Sequence, residues 1–354
     1  MQNKTSMNIF LSGGGTIGSV SPLLAIYQHI AARNSEVKFV WVGTRNGPEQ
    51  KIVASYNLEF EPIFAGKLRR YASLANLIDP IFILFGFFQS LLLIARYRPA
   101  IILSAGGFVS VPLVFAGWLL RVPALIHQQD VEPGLANKLM APFAKIITVT
   151  FSESKPAFPA KKTRVTGNPV RADILTGDRQ EAIGYFSLEP DIPTVLVIGG
   201  GTGATTVNKL VVDSLDELVI FCQVIHLTGG RMDQIVTHRR YHGFEFLTDE
   251  LKHAYAAADL VVSRAGMSAL TELAALSKPT IVIPISGSHQ ESNASVFLKN
   301  NAVVLMREQK ITATQFAEAV RGLLSDPATL RNLSRNIGSV LPTDATERIS
   351  SMLY

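Results

Sequence analysis

Short apolar runs alternate with longer helical stretches along almost the whole chain. Asn8–Ser12, Lys38–Gly43, Phe60–Ile63, Ala100–Ser104, Ala124–His127 and Ile146–Val149 read as strands in the first half. Thr194–Ile198, Gln223–Leu227, Phe244–Leu247, Leu260–Ser263, Thr280–Ile283 and Ala302–Leu305 repeat the rhythm in the second, and Thr312–Tyr354 reads as helices. Strand–helix alternation of this kind predicts an α/β fold with doubly wound parallel sheets. Ala172–Pro193 breaks the rhythm, is mixed in charge and carries Pro190 and Pro193, so the domain junction is placed there. The expected division is 1–170, 171–340, and a closing helix, 341–354, that packs back on the first domain.

Each half opens with a strand that runs into glycines: Gly13-Gly14-Gly15-Thr16-Ile17-Gly18 and Gly199-Gly200-Gly201-Thr202-Gly203. Glycines let a ligand approach the backbone closely, and Ser21-Pro22 suits a helix start just beyond the first loop. The first loop is a loose match to a dinucleotide fingerprint, because no acidic residue ends the next strand before Thr44-Arg45-Asn46. Neither loop is a P-loop, since no Gly-Lys-Ser/Thr closes it. In the second half, Leu260–Ser263, Ala265-Gly266 and a helix opening at Met267-Ser268 place Glu272 about one turn in. Free N–H groups and the helix dipole favour phosphate there, and a nearby carboxylate can accept from ribose hydroxyls. An ordinary capped βα unit has the same outline. His127-Gln128-Gln129-Asp130 falls where a strand ends and a helix begins, the edge at which α/β proteins bind ligands; a satisfied core histidine is an equal reading of His127.

Tyr71–Ala95 holds one charge, Asp79, and the run from Pro80 to Ala95 is dense in Phe, Leu and Ile. That run is shorter than the ~20 residues of a spanning helix. Lys67, Arg69 and Arg70 precede it and Arg96 and Arg98 follow, a pattern suited to a membrane interface with anionic headgroups.

With 354 residues, 47% apolar and 17% charged, the chain can build about two cores and excludes wholesale disorder. The single cysteine, Cys222, excludes an intramolecular disulfide and suits a cytosolic protein. A net charge of +5 permits anionic partners, but no Lys/Arg block with interleaved aromatics points to nucleic acid. The N-terminal MQNKTS is polar and does not read as a signal peptide.

Eight motifs in order carry a resemblance: GGGTIGSVSP near the start, SAGGFVSVP from Ser104, LIHQQDVEPGLANK from Leu125 and TGNPVR from Thr166 in the first half; IGGGTGA from Ile198, SRAGMSALTE from Ser263, HQESNA from His289 and DATERI from Asp344 in the second. Together they resemble the MurG family over about Asn8 to Ile349. The resemblance implies the GT-B architecture of two Rossmann-like domains facing across a cleft. It also implies transfer of N-acetylglucosamine from its UDP conjugate to an undecaprenyl-linked muramyl acceptor at the cytoplasmic face of the bacterial membrane. Thr16, Ile17 and Gly18 would face the donor sugar, with Asn137 near it, and Arg171 would approach the diphosphate. Gly201 stands where a Ser often contacts donor phosphate, and Leu247 would pack by the uracil. Met267, Ser268, Ala269, Leu270, Thr271 and Glu272 would bind phosphate and ribose, with Glu272 on the ribose hydroxyls. Gln290 and Asn293 would contact sugar hydroxyls, and Tyr71–Ala95 would dock the membrane face.

The chain departs from the family pattern at three places. GGTGGHxxP has become a loop with Ile17 for a Gly and Ser19 for the His; HEQN has become His127-Gln128-Gln129-Asp130; and Gly201-Thr202 replaces Ser-Gln. A lone Ser near pH 7 is a poor general base. Ser19, His127 and Asp130 are therefore the candidate catalytic positions, with Asp130 or His127 the candidates to take the acceptor proton. No Asp-x-Asp motif is present, so no essential metal and no cofactor are expected. Two other readings share the architecture: a transferase or UDP-sugar 2-epimerase with a different substrate, and a non-catalytic UDP-sugar-binding partner of a cell-wall complex.

Overall fold

A computed structural model describes residues 7–15, 17–66, 75–200, 204–230 and 236–353, with the backbone alone for Ile17 and 75–78. Thr16, Gly201 and the basic residues Lys67, Arg69 and Arg70 lie outside the described residues. Two compact units divide the chain, Ala172–Pro342 forming one and Met1–Arg171 with Thr343–Tyr354 the other.

The strands of the first unit are β1 (Asn8–Ser12), β2 (Lys38–Thr44), β3 (Glu59–Ile63), β4 (Ile101–Ser104), β5 (Ala124–Gln128), β6 (Ile146–Val149) and β7 (Thr163–Val165). They form one parallel sheet in the order β3-β2-β1-β4-β5-β6-β7. Its helices are α1 (Ser21–Ala31), α2 (Glu49–Ser55), α3 (Ala75–Tyr97), α4 (Ser110–Leu119) and α5 (Leu135–Met140). Successive strand residues point to opposite faces. Phe10 with Ile102, Ile126 and Ile147 therefore packs under α3 and α4, while Ile9 and Leu11 with Trp41, Leu103 and Leu125 pack under α1. Burial on both faces is why these strands read as unbroken apolar runs.

The second unit holds β8 (Thr194–Ile198), β9 (Gln223–Leu227), β10 (Tyr241–Phe244), β11 (Leu260–Ser263), β12 (Thr280–Val282) and β13 (Val304–Leu305). These are also all parallel, in the order β10-β9-β8-β11-β12-β13. Around them lie α6 (Arg179–Phe186), α7 (Thr205–Asp213), α8 (Leu215–Leu218), α9 (Leu251–Ala257), α10 (Met267–Ala275), α11 (His289–Lys299), α12 (Ala313–Leu324) and α13 (Pro327–Val340). The last helix, α14 (Ala345–Ser350), packs on α1 in the first unit, where Ile349 and Leu353 join the core beside Leu23.

One expected strand and one expected helix differ in their bounds. The strand predicted at Phe244–Leu247 is β10, three residues earlier, paired with β9 from Tyr241↔Val224 to Phe244↔Leu227. The helix read from Pro80 to Ala95 runs from Ala75 to Tyr97, 23 residues and about 34 Å long. It passes through Pro80 at the cost of one backbone hydrogen bond.

Candidate active site

In both sheets the strand order reverses between the first strand and the fourth, and ligands of open α/β sheets bind beyond the carboxyl ends at such a switch point. The two glycine loops follow β1 and β8, so each stands at its sheet's switch point. In the first unit the loop after β1 is pinned from three sides. Trp41 Nε1 donates to Gly13 O at 3.1 Å. The Gly15 N–H donates to Glu49 Oε2 at 3.1 Å, and Glu49 Oε1 accepts from Thr44 N at 2.7 Å and from the Thr44 hydroxyl. Gly107, following β4, lies so close that a Cβ on it would fall 2.7 Å from Gly14 O, and its φ of +91° is in the left-handed region. Glycine is required there twice over. Ile17, Gly18 and Ser19 form a single 3₁₀ turn, in which Ser19 is buried.

At the end of β5 the structure joins three of the predicted residues, His127, Asp130 and Asn137, into one network through Gln128. His127 is fully buried, its Nδ1 2.9 Å from Thr148 Oγ1 and its Nε2 2.7 Å from Asn168 Oδ1. The Asn168 carbonyl oxygen can only accept, so Nε2 carries the proton and Nδ1 accepts from Thr148. Burial lowers the imidazole pKa to about 4. Asn137 Nδ2 donates to His127 O at 3.0 Å and to Gln128 Oε1 at 2.7 Å, and Gln128 Nε2 donates to Asp130 O at 2.8 Å. Asn137 is thus part of the scaffold beneath the loop, while the Asp130 side chain is half-exposed above it. Arg171 is half-buried, and its Nη1 donates to the Tyr56 hydroxyl at 3.1 Å.

In the second unit, β11 turns through Ala265-Gly266 into α10. Gly266 is the N-cap and supplies no side-chain acceptor, so the first turn presents backbone N–H groups to an anion. Ser268 and Ala269 are partly exposed on that turn, whereas Met267, Leu270 and Thr271 are buried, and the Thr271 hydroxyl donates back to Met267 O at 2.6 Å. Leu270 is wholly in the core, so any part it takes in binding is through its backbone. Glu272 is buried, and the Tyr255 hydroxyl donates to its Oε2 at 2.9 Å. Asn293 Nδ2 donates to Ala265 O at 3.0 Å, tying α11 to the turn, and Gln290 Oε1 accepts from Ile285 N at 3.2 Å. Leu247 stands in the loop after β10 rather than in a strand.

On the first unit, Ile81, Leu84, Phe85, Phe88 and Leu92 recur at helical spacing along α3, and all are more than half exposed, Leu92 by 72%. Trp118, Leu119 and Leu120 at the end of α4 extend this face, with Phe115 stacked on Trp118. The opposite side of α3 is tightly seated, since a Cβ on Gly86 would fall 2.0 Å from Phe64 O.

Sequence reasoning passed over Glu49, Tyr255 and Ser154. An acidic residue does reach the first glycine loop, from five positions beyond Thr44, and its signal was a lone acid in the Gly-Pro-Glu turn. Tyr255, in an Ala-rich helix, carried none.

Comparison with known proteins places this geometry. Residues 9–149 match the glycosyltransferase family 28 N-terminal domain and residues 194–349 its C-terminal domain. A UDP-N-acetylglucosamine–N-acetylmuramyl-(pentapeptide) pyrophosphoryl-undecaprenol N-acetylglucosamine transferase of Clostridium kluyveri is 33% identical over 351 residues, 98% of each chain. The transferase 2 of that name from Bacillus cereus is 36% identical over 321 residues, 89% of this chain and 91% of its own. Among solved structures, Acinetobacter baumannii MurG superposes with a TM-score of 0.73 at 22% identity, covering 98% of this chain and 99% of its own. A UDP-N-acetylglucosamine 2-epimerase of Neisseria meningitidis reaches 0.71 at 12% identity, covering 98% and 99%, a likeness of fold alone. With two parallel-sheet Rossmann-like domains and relatives of this identity along its whole length, the chain belongs to the MurG family of glycosyltransferase family 28.

Proposed function

We propose that the protein transfers N-acetylglucosamine from UDP-N-acetylglucosamine to the muramyl sugar of an undecaprenyl-pyrophosphoryl-linked peptide acceptor, with inversion at C1. The observation that carries the donor assignment is the α10 start, uncapped by any side chain, with the Tyr255-held carboxylate of Glu272 one turn on. Backbone N–H groups there suit the diphosphate, and Glu272 Oε1 and Oε2 can accept from vicinal ribose hydroxyls.

The acceptor hydroxyl oxygen bonds to C1 as the bond from C1 to the phosphate oxygen breaks. UDP departs with the electron pair, its charge stabilised by the backbone N–H groups at the α10 N-terminus. The hydroxyl proton goes to Asp130. His127 is unsuited to that part, since both ring nitrogens are committed and burial holds it neutral down to about pH 4. Ser19 is buried in the loop, and a serine hydroxyl is a poor base near pH 7. The apolar face of α3 and α4 rests on the cytoplasmic surface of the membrane, which favours a lipid acceptor over a 2-epimerase reaction.

Glu272→Ala is expected to weaken UDP-N-acetylglucosamine binding about tenfold or more, the effect of losing hydrogen bonds to a charged acceptor. Titration calorimetry reads it directly, and Tyr255→Phe gives a smaller loss in the same direction. Wild-type donor affinity in Glu272→Ala would remove the donor assignment.

A further inference from the structure

Three consecutive residues just beyond β5, Asp130, Val131 and Glu132, are held in an unusual way. Their successive backbone carbonyls accept from side chains: Asp130 O from Gln128 Nε2 at 2.8 Å, Glu132 O from the same Nε2 at 3.2 Å, and Val131 O from Ser154 Oγ at 2.9 Å. Ser154 Oγ also lies 3.3 Å from Asp130 O. Gln128 is 2% exposed and Ser154 is fully buried, so neither donor has water to turn to. The remaining polar atom of Gln128, Oε1, accepts from Asn137 Nδ2 at 2.7 Å, and Gln128 O accepts from Thr150 N at 3.0 Å.

This set of bonds demands an amide at position 128. Both hydrogens of the carboxamide are used on two carbonyls and its oxygen on a third partner, a full complement for glutamine. A carboxylate of the same shape could keep only the Asn137 bond. It would set negative charge against two carbonyl oxygens in a buried place, where unmet polar groups cost most. The carbonyl of Asp130 is one of the two atoms that would be expelled, and the Asp130 carboxylate springs from that same residue.

We propose that Gln128 is a positioning residue that fixes the direction of the Asp130 carboxylate, with Ser154 as its second support. This rests on the reading that Asp130 receives the acceptor proton. Geometry of this kind matters because a displacement of about 1 Å at a reacting group can cost on the order of 100-fold in rate.

The test is a double-mutant cycle on the full chain, with initial rates at saturating UDP-N-acetylglucosamine and varied soluble lipid I analogue. Gln128→Glu is expected to lower kcat by about 30-fold while donor affinity in calorimetry stays within about twofold of wild type, since only the aim of the base is lost. In an Asp130→Asn background the same change costs less than about threefold, the non-additivity of two residues acting through one group. Ser154→Ala follows the same pattern with a smaller loss, and it carries the test alone if Gln128→Glu does not fold. Equal losses in both backgrounds, or an unchanged kcat in Gln128→Glu when Asp130→Asn is impaired, overturn the positioning role and leave Asp130 as base. Full activity of Asp130→Asn removes the base assignment itself, and the role of Gln128 falls with it.

Discussion

Two buried histidines show how little a residue's type says about its work. His127 bridges Thr148 and Asn168, and His226 lies between Tyr241 Oη at 3.0 Å and Asn208 Oδ1 at 3.1 Å. Burial lowers each pKa to about 4 from an ordinary 6.5. An unfolded chain binds protons at these sites below pH 6.5, whereas the folded chain does not until about pH 4. Unfolding therefore takes up protons in that window, and stability present above pH 6.5 is lost as pH falls toward 4, by on the order of 3 kcal/mol per histidine. Urea midpoints between pH 7 and 4.5 should fall more steeply for wild type than for His226→Asn, and equal slopes would contradict this. At this scale the sequence was only half legible. The pattern around His127 fits a functional and a core histidine equally, and only the two committed ring nitrogens separate them. Glu272 was legible because strand, glycine and helix fix its place, but the Tyr255 hydroxyl that holds it comes from an element seventeen residues earlier with no local signal.

Elements were read well where burial leaves one chemical pattern. Strands such as Ile101–Ser104 and Leu260–Ser263 are covered on both faces and are apolar up to a closing serine. The misplaced β10 has the opposite character. Tyr241-His242-Gly243-Phe244 carries a glycine and a histidine, and the following Phe246-Leu247 drew the strand toward itself. β7, a three-residue edge strand of Thr163-Arg164-Val165, went unread because an exposed edge needs few apolar residues. α3 was recognised but cut short at Pro80, since proline marks helix starts more often than it sits inside them. Its outward residues Phe88 and Leu92 lie one turn apart with more than half of each side chain exposed. If this face meets the membrane, Phe88→Glu with Leu92→Glu removes about 3 kcal/mol or more of apolar burial and cuts binding to anionic vesicles at least tenfold. Donor affinity in solution stays unchanged. Co-flotation of the double variant at wild-type levels would contradict the proposed surface.

At the scale of the whole molecule, one topological plan is used twice. Both sheets run third, second, first, fourth, fifth, sixth strand, and both place a glycine loop beyond the first strand at the reversal. Eight collinear motifs made this plan and the family legible from the chain alone: six fall at a strand's carboxyl end, while HQESNA opens α11 and DATERI lies on α14. The departures from the family pattern were legible too, but their meaning was not. Only the network joining Gln128, Asn137 and Ser154 explains how a loop carrying Asp130 is held. The central claim is that this altered machinery still transfers sugar to a lipid-linked acceptor. Its most direct test is transfer of labelled N-acetylglucosamine from UDP-N-acetylglucosamine to a short-chain lipid I analogue, with UDP release followed in parallel. Disaccharide product formed in step with UDP, and lost in Asp130→Asn, is the predicted result; tight UDP-N-acetylglucosamine binding without product would contradict it.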